Sequence, residues 1–175
     1  MAYIKNANSG NHGRLKRRPL VDLGVTMEWN DSMTLGYEPM DMIHREFVGC
    51  VANLQQCADA EVPVMLDRMI EHLHSHFSEE NEIMIKHEFP PKDCHIDEHA
   101  AVLRSAVEVR LCVARGDHAE ARSFAKALAK WFPGHADYMD AALAHWIVKR
   151  LHGGKPLVFR REAHVDGALK LDSHD

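Results

Sequence analysis

Apolar residues recur every three or four positions over most of residues 38–151, which is the spacing of one face of an α-helix. Three short breaks interrupt this pattern, so it predicts four long helices. The first begins at Glu38–Pro39, and the others cover about residues 62–86, 92–115 and 118–151. Long helices joined by short connections are typical of an all-α fold, the antiparallel up-and-down four-helix bundle.

The segments outside the helical pattern differ from it in composition. Residues 1–25 form a polar N-terminal arm with a basic cluster, and residues 152–175 form a C-terminal tail without a strong pattern. We expect both to lie outside the bundle, which would then occupy residues 26–151. Residues 26–39 lack helical periodicity, and we expect them to be an extended segment laid across the helices.

Composition narrows the class of protein further. The chain has 175 residues, 46% of them hydrophobic, which suits one domain with a substantial core. Its net charge of −5 gives no general electrostatic reason to bind nucleic acid. No apolar run approaches the roughly 18 residues that span a membrane, and no signal-peptide core is present. We therefore expect a cytoplasmic protein whose four cysteines are reduced thiols.

Polar side chains stand at inward positions on the apolar stripes of all four helices. His76 and Glu80, for example, are one turn apart on a face that also carries Met69, Leu73 and Met84. Burying such a group without a partner costs roughly 2–7 kcal/mol, and more if it is charged. The full inward set is His44, His76, Glu80, His95, His99, His135 and Asp140.

Five imidazoles and two carboxylates in one core suit a metal site, because metals use both types of ligand together. The set exceeds what one ion takes, but it fits two ions bridged by the carboxylates. If an oxo or hydroxo group is also shared, three histidines complete a six-coordinate ion. The other two histidines leave the second ion five-coordinate. Its open position is where a small ligand such as O₂ would bind to a redox metal.

The backbone around the last two candidate ligands has two alternative interpretations. His135 and Asp140 are five residues apart, about 140° from a common face in an ideal helix. A kink or π-bulge near Pro133 would bring both side chains inward. Alternatively, a new helix begins at Pro133.

Several other polar residues have two interpretations each. Asp41 could accept the second N–H of His44, or it could cap the first helix. His72 could line the site or lie at the edge of the core. His74, Glu79 and Glu82 are expected on the solvated face.

Ferritin-like di-iron sites are the main structural competitor. They need two Glu-x-x-His motifs on different helices together with further glutamates. The chain has one match, Glu71 with His74, and it points away from His76. The histidine-rich set therefore disfavours the ferritin-like interpretation.

The combined motifs resemble those of the bacterial hemerythrins, and the resemblance covers about residues 26–150. The preceding segment, Trp29 to Tyr37, and the start of the first helix are also similar to that family. The motifs are His44, then His76-Phe-Ser-Glu-Glu80 with Met84, then His95-x-x-x-His99, then Trp131-x-x-x-His135-x-x-x-x-Asp140.

This resemblance implies an oxo- or hydroxo-bridged non-haem di-iron centre that binds O₂ reversibly without catalysis, for storage, delivery or sensing. O₂ is expected at the iron with two histidines. By the resemblance, one iron is held by His95, His99 and His135, the other by His44 and His76, and both are bridged by Glu80 and Asp140.

One departure from the family pattern keeps other functions open. Asp137 stands where family members usually carry a bulky aliphatic residue that lines the O₂ pocket. If Asp137 points into that pocket, it could admit water or protons and speed oxidation of the centre. A redox enzyme acting on peroxide or nitrogen oxides is therefore an alternative, and iron buffering is another.

Overall fold

The computed structural model describes residues 26–151, and their regular secondary structure is helical throughout. A π-helical segment, Ala136–Asp140, joins the last two helices without interruption. The helices are α1 (Glu38–Gln56), α2 (Val62–Lys86), α3 (Lys92–Ala114), α4 (His118–His135) and α5 (Ala141–Leu151).

These helices form the predicted four-helix bundle, in which α4, the π-helical segment and α5 together make the fourth member. In this bundle α1 packs against α2, α2 against α3 and α3 against α4. The packing of α1 against α4 closes the ring. The expected N-terminal arm and C-terminal tail lie outside the described residues, so the proposed domain limits stay a prediction.

Local sequence explains where the helices begin and end. Pro39 and Pro63 stand in the first turns of α1 and α2, where the missing proline N–H costs no helical hydrogen bond. Gly116 follows α3 with a φ of 90°, a conformation that favours glycine. The structure thus confirms helix boundaries that proline and glycine indicate.

The apolar core is divided into two clusters by the inward polar residues. On α1, His44 lies between Met40 of the smaller cluster and Phe47 of the larger. On the fourth member, Asp140 likewise lies between Phe132 of the larger cluster and Leu143 of the smaller. The helices therefore present one polar layer across the middle of an otherwise apolar interior.

The segment before α1 runs along the bundle, as expected. The Met27 N–H donates to Gln55 Oε1 (2.8 Å), and Trp29 packs on the larger cluster. Leu35 and Tyr37 pack on the smaller cluster. The segment thereby covers both parts of the core. It is interrupted by a short 3₁₀ turn, Asp31–Met33.

The expectations of reduced cysteines and of no membrane-spanning helix remain for the described residues. All four cysteines are free. Within residues 26–151, no helix is both long and apolar enough to cross a membrane.

Candidate metal centre

All seven inward residues meet in one buried cluster. None of them is more than 4% exposed, so each side chain is removed from water. Their ligand-type atoms fall into two overlapping groups that share Glu80. We call His95, His99 and His135 the three-histidine group, and His44 and His76 the two-histidine group.

The three-histidine group directs its nitrogens at a common point. The Nε2 atoms of His95 and His99 each lie 3.1 Å from His135 Nε2. Asp140 Oδ1 lies 3.1 Å from His95 Nε2 and 3.3 Å from His135 Nε2. Neighbouring donor atoms of an octahedral ion with bonds of about 2.1 Å are about 3.0 Å apart. The observed spacing is therefore that of donors arranged around one ion.

The two carboxylates connect the histidine groups. Glu80 Oε1 lies 3.1 Å from His76 Nε2, whereas Glu80 Oε2 lies 3.3 Å from His99 Nε2. Asp140 Oδ2 lies 3.3 Å from His44 Nε2, whereas its Oδ1 faces the three-histidine group. Each carboxylate thus presents one oxygen to each group, so each could bridge two cations if both groups held one.

Unpartnered polar atoms within the cluster are suited to holding a cation. His44 Nε2, Glu80 Oε2 and both carboxylate oxygens of Asp140 are buried without a hydrogen-bond partner. Buried carboxylates that lack partners are costly, and cations are the groups that offset them. The set of imidazole and carboxylate donors also suits iron among the first-row metals. The residues present therefore fit iron, the metal that the family resemblance implies.

The π-helical segment positions the last two candidate ligands. The Ala141 N–H donates to the carbonyl of Ala136, five residues earlier, so the turn is wider than an α-helical one. His135 Nε2 and Asp140 Oδ1 are consequently only 3.3 Å apart. Pro133 lies inside α4 rather than at the start of a new helix. The π-bulge alternative is therefore confirmed.

The protonation of the metal-free cluster reflects its crowded charges. Burial lowers the pKa of His44, but the nearby carboxylates of Asp140 and Glu80 outweigh it and raise that pKa to about 9. Burial raises the pKa of Glu80, yet the charge of His76, its hydrogen bond to Glu80 Oε1 and the nearby imidazoles of His44 and His99 hold that pKa well below its usual range. Because metal ligands must be deprotonated, uptake of a cation would release the proton that the raised pKa of His44 leaves on that ring.

Sequence reasoning missed two side chains that stand behind the three-histidine group. Asn81 Oδ1 lies 3.0 Å from His99 Nδ1, and Glu98 Oε1 lies 3.6 Å from His135 Nδ1. Both residues directly adjoin a candidate ligand in the chain. That adjacency is the signal that could have identified them, although it does not specify the ring that each one faces.

Aromatic residues surround the cluster on the side of the larger apolar core. We call Phe47, Phe77, Trp131 and Phe132 the aromatic wall. The rings of Phe47 and Phe132 stack with centroids 4.5 Å apart, and Phe132 meets His44 edge-on at 5.0 Å. Phe77 stacks on His99 with centroids 4.0 Å apart and an interplanar angle of 5°. These contacts fix imidazole orientation through packing.

The conditional interpretations of two neighbouring residues, Asp137 and Asp41, are not met in the structure. Asp137 is exposed, so it does not point into the interior. Asp41 neither contacts His44 nor caps α1. Its carboxylate accepts the N–H groups of Leu35 (2.7 Å) and Gly36 (3.0 Å), which anchors the segment before α1.

Other polar residues near the site lie where one of their interpretations placed them. His72 is at the edge of the core, with its ring centroid 5.5 Å from that of His76. Burial, followed by the charges of His76 and His44, lowers the pKa of His72 to about 4. The exposed residues His74, Glu79 and Glu82 are solvated, as expected.

Comparisons with known proteins agree with the geometry. The family described as hemerythrin HHE cation binding domain matches residues 35–147. A bacteriohemerythrin of Ralstonia nicotianae is 35% identical over 124 residues, which cover 71% of this chain and 90% of that protein. A bacteriohemerythrin of Stenotrophomonas maltophilia is 25% identical over 147 residues, covering 81% of this chain and 91% of that protein. No solved structure shows significant similarity.

Proposed function

Because the chain belongs to the hemerythrin family, we propose that it binds O₂ reversibly at an oxo- or hydroxo-bridged centre of two iron ions. The observation that carries the proposal is that Glu80 and Asp140 each present one oxygen to each histidine group. The proposed ligands are His95, His99 and His135 for one ion, His44 and His76 for the other, and Glu80 and Asp140 for both.

The unequal histidine groups suggest where the small ligand binds. Two iron ions would supply the electrons that O₂ takes up on binding and returns on release. The three-histidine group offers its ion one more imidazole than the two-histidine group offers the other. We therefore propose that O₂ enters on the side of His44 and His76.

The aromatic wall supports a binding role over a catalytic one. It covers His44 and His99 with apolar rings, and the indole N–H of Trp131 donates to Glu98 (2.6 Å). Such rings exclude water and supply few protons, a condition that favours release of intact O₂. The enzymatic alternative relied on Asp137 as a proton source in the pocket, and that side chain is exposed. We therefore propose a non-catalytic protein. Its cytoplasmic location stays a prediction from the sequence.

The visible absorption spectrum of the iron-loaded, reduced protein tests this function. We expect a colour that appears in air and disappears when O₂ is removed. Rapid, irreversible conversion to a ferric spectrum would contradict reversible binding and favour redox catalysis on peroxide or nitrogen oxides. A spectrum insensitive to O₂ would instead favour iron buffering.

A matched pair of variants on α2 makes the test specific to the site. His76→Ala removes a proposed ligand, so it should abolish the O₂-dependent colour. His74→Ala alters an exposed histidine two residues away and should retain the colour. Equal behaviour of the two variants would contradict the proposed ligand set.

A further inference from the structure

A single carboxylate oxygen on α3 faces two side chains of α4. Glu98 Oε1 accepts the indole N–H of Trp131 at 2.6 Å and lies 3.6 Å from His135 Nδ1. The rings of Trp131 and His135 are 4.3 Å apart at their centroids, with an interplanar angle of 31°. Glu98 therefore stands beside a close, tilted indole–imidazole pair, one ring of which belongs to the proposed iron site.

The imidazole of His135 needs an acceptor on its outer side. A ring that gives Nε2 to a metal carries its proton on Nδ1, and ligating histidines almost always donate that N–H to a carboxylate, carbonyl or water. His135 Nδ1 is buried and has no hydrogen-bond partner within the described residues. Because Glu98 Oε1 is only 3.6 Å away, a shift of less than 1 Å would complete the bond.

We propose that Glu98 is the positioning residue of His135, accepting its Nδ1–H in the iron-loaded protein while it anchors Trp131. This inference rests on the proposed iron site. The carboxylate fixes the tautomer and orientation of His135 and increases its basicity as a ligand. His99 differs, because the group behind it is the neutral amide of Asn81. On the outer, Nδ1 side of these imidazoles, Glu98 thus places a negative charge near His135, whereas Asn81 gives His99 a neutral partner.

Substitutions on α3 can separate the charge of Glu98 from its contact with Trp131. Glu98→Gln removes the charge, while its amide oxygen can still accept the indole N–H. Glu108→Gln makes the same change at an exposed position of the same helix and serves as the control. Trp131→Phe leaves the Glu98 charge in place and removes the indole N–H.

Titration of the metal-free full chain with Co²⁺, used as the probe, measures the effect. We expect Glu98→Gln to weaken Co²⁺ binding by roughly tenfold, the lower end of what loss of an outer partner costs. Glu108→Gln should bind like the wild type, and Trp131→Phe should lose less affinity than Glu98→Gln. Equal affinity of Glu98→Gln and Glu108→Gln would overturn the inference. So would an equal or larger loss in Trp131→Phe, because Glu98 would then act only through the indole.

A measurement on the unmodified protein avoids dependence on how the variants fold. In the Co²⁺-loaded chain, the His135 Nδ1 proton should give a paramagnetically shifted NMR signal that exchanges slowly with water. Rapid exchange of that proton would count against the inference. If the wild type bound no metal at all, the proposed function would fail. Metal binding without an effect of Glu98 would overturn only the inference about Glu98.

Discussion

The two histidine groups differ in what stands behind their imidazoles. In the three-histidine group, a side-chain amide and a carboxylate lie near the outer nitrogens of His99 and His135. In the two-histidine group, Nδ1 of both His44 and His76 lacks a hydrogen-bond partner within residues 26–151. Phe47 instead lies near His76, with ring centroids 6.2 Å apart. The three-histidine group therefore has one outer hydrogen bond, at His99, and a carboxylate close to His135, whereas the outer nitrogens of the two-histidine group have neither.

This difference suggests that the two histidine groups have different roles within one centre. Outer hydrogen bonds fix the orientation of a ligand and strengthen its hold on a metal, so the three-histidine group should retain its ion more firmly. The two-histidine group has fewer donors and apolar surroundings, which suits an ion that exchanges a small ligand. The shared carboxylates would then couple a firmly held ion to a more reactive one.

Removing iron from both groups should have the largest effect, a loss of thermal stability. The metal-free chain buries two carboxylates among imidazoles without their cation, and ligand loss destabilises the folded state. We expect the melting temperature to fall by roughly 10 °C or more, since a chain of this size loses about 2–4 °C per kcal/mol. Differential scanning calorimetry with and without a chelator measures the change. An unchanged melting temperature would contradict a buried metal site.

Two single variants, each without one histidine of one group, should show the next largest effect, a loss of metal affinity. Titration of the metal-free protein with Co²⁺ should show a tighter and a weaker phase. His99→Ala should remove the tighter phase, and His44→Ala the weaker one, because each change removes a direct ligand. Each loss should exceed the roughly 10- to 100-fold that an outer partner contributes. Identical isotherms for the two variants would show that the groups are equivalent.

Changing the amide behind His99 should have a smaller effect. Asn81→Ala removes the acceptor 3.0 Å from His99 Nδ1, so the tighter phase of Co²⁺ binding should weaken by about tenfold. The weaker phase should not change. Glu82→Ala, at the next and exposed position of α2, is the control. Loss of the weaker phase in Asn81→Ala would contradict the assignment of this amide to the three-histidine group.

Asp137→Leu should have the smallest effect. The side chain of Asp137 is exposed, so its replacement leaves the surroundings of the two-histidine group unchanged. The rate at which the oxygenated protein converts to the ferric form should equal that of the wild type. Stopped-flow absorbance measures this rate. A clearly slower conversion in the variant would show that Asp137 supplies protons or water to the centre of the wild type.

The fold and the seven inward residues could be predicted because both follow from local periodicity. A helix places residues three and four apart on one face, so a histidine on an apolar stripe must point inward. His95 and His99 illustrate this rule, since both lie on the stripe of α3 and both are buried. Asp140 could be predicted as an inward residue, but the backbone conformation that turns it inward could not. Hydrogen bonding in a π-helical segment cannot be read from periodicity.

Adjacency to a ligand could have singled out Asn81 and Glu98, but the imidazole that each one faces could not be predicted, because it lies on another helix. Glu98 lies on α3, and the indole and imidazole that it faces lie on α4. No spacing within one helix encodes that approach. The condition attached to Asp137, that it points into the pocket, is not met in the structure. A residue two positions after an inward ligand lies about 200° around a helix, on the outer face.

The most direct test of the central claim is the Mössbauer spectrum of the oxygenated protein loaded with enriched iron. The account predicts two quadrupole doublets of equal area, because the two ions have unequal sets of imidazole ligands and only one of them binds O₂. A single doublet, or one iron per chain by elemental analysis, would contradict a centre built from two unlike halves.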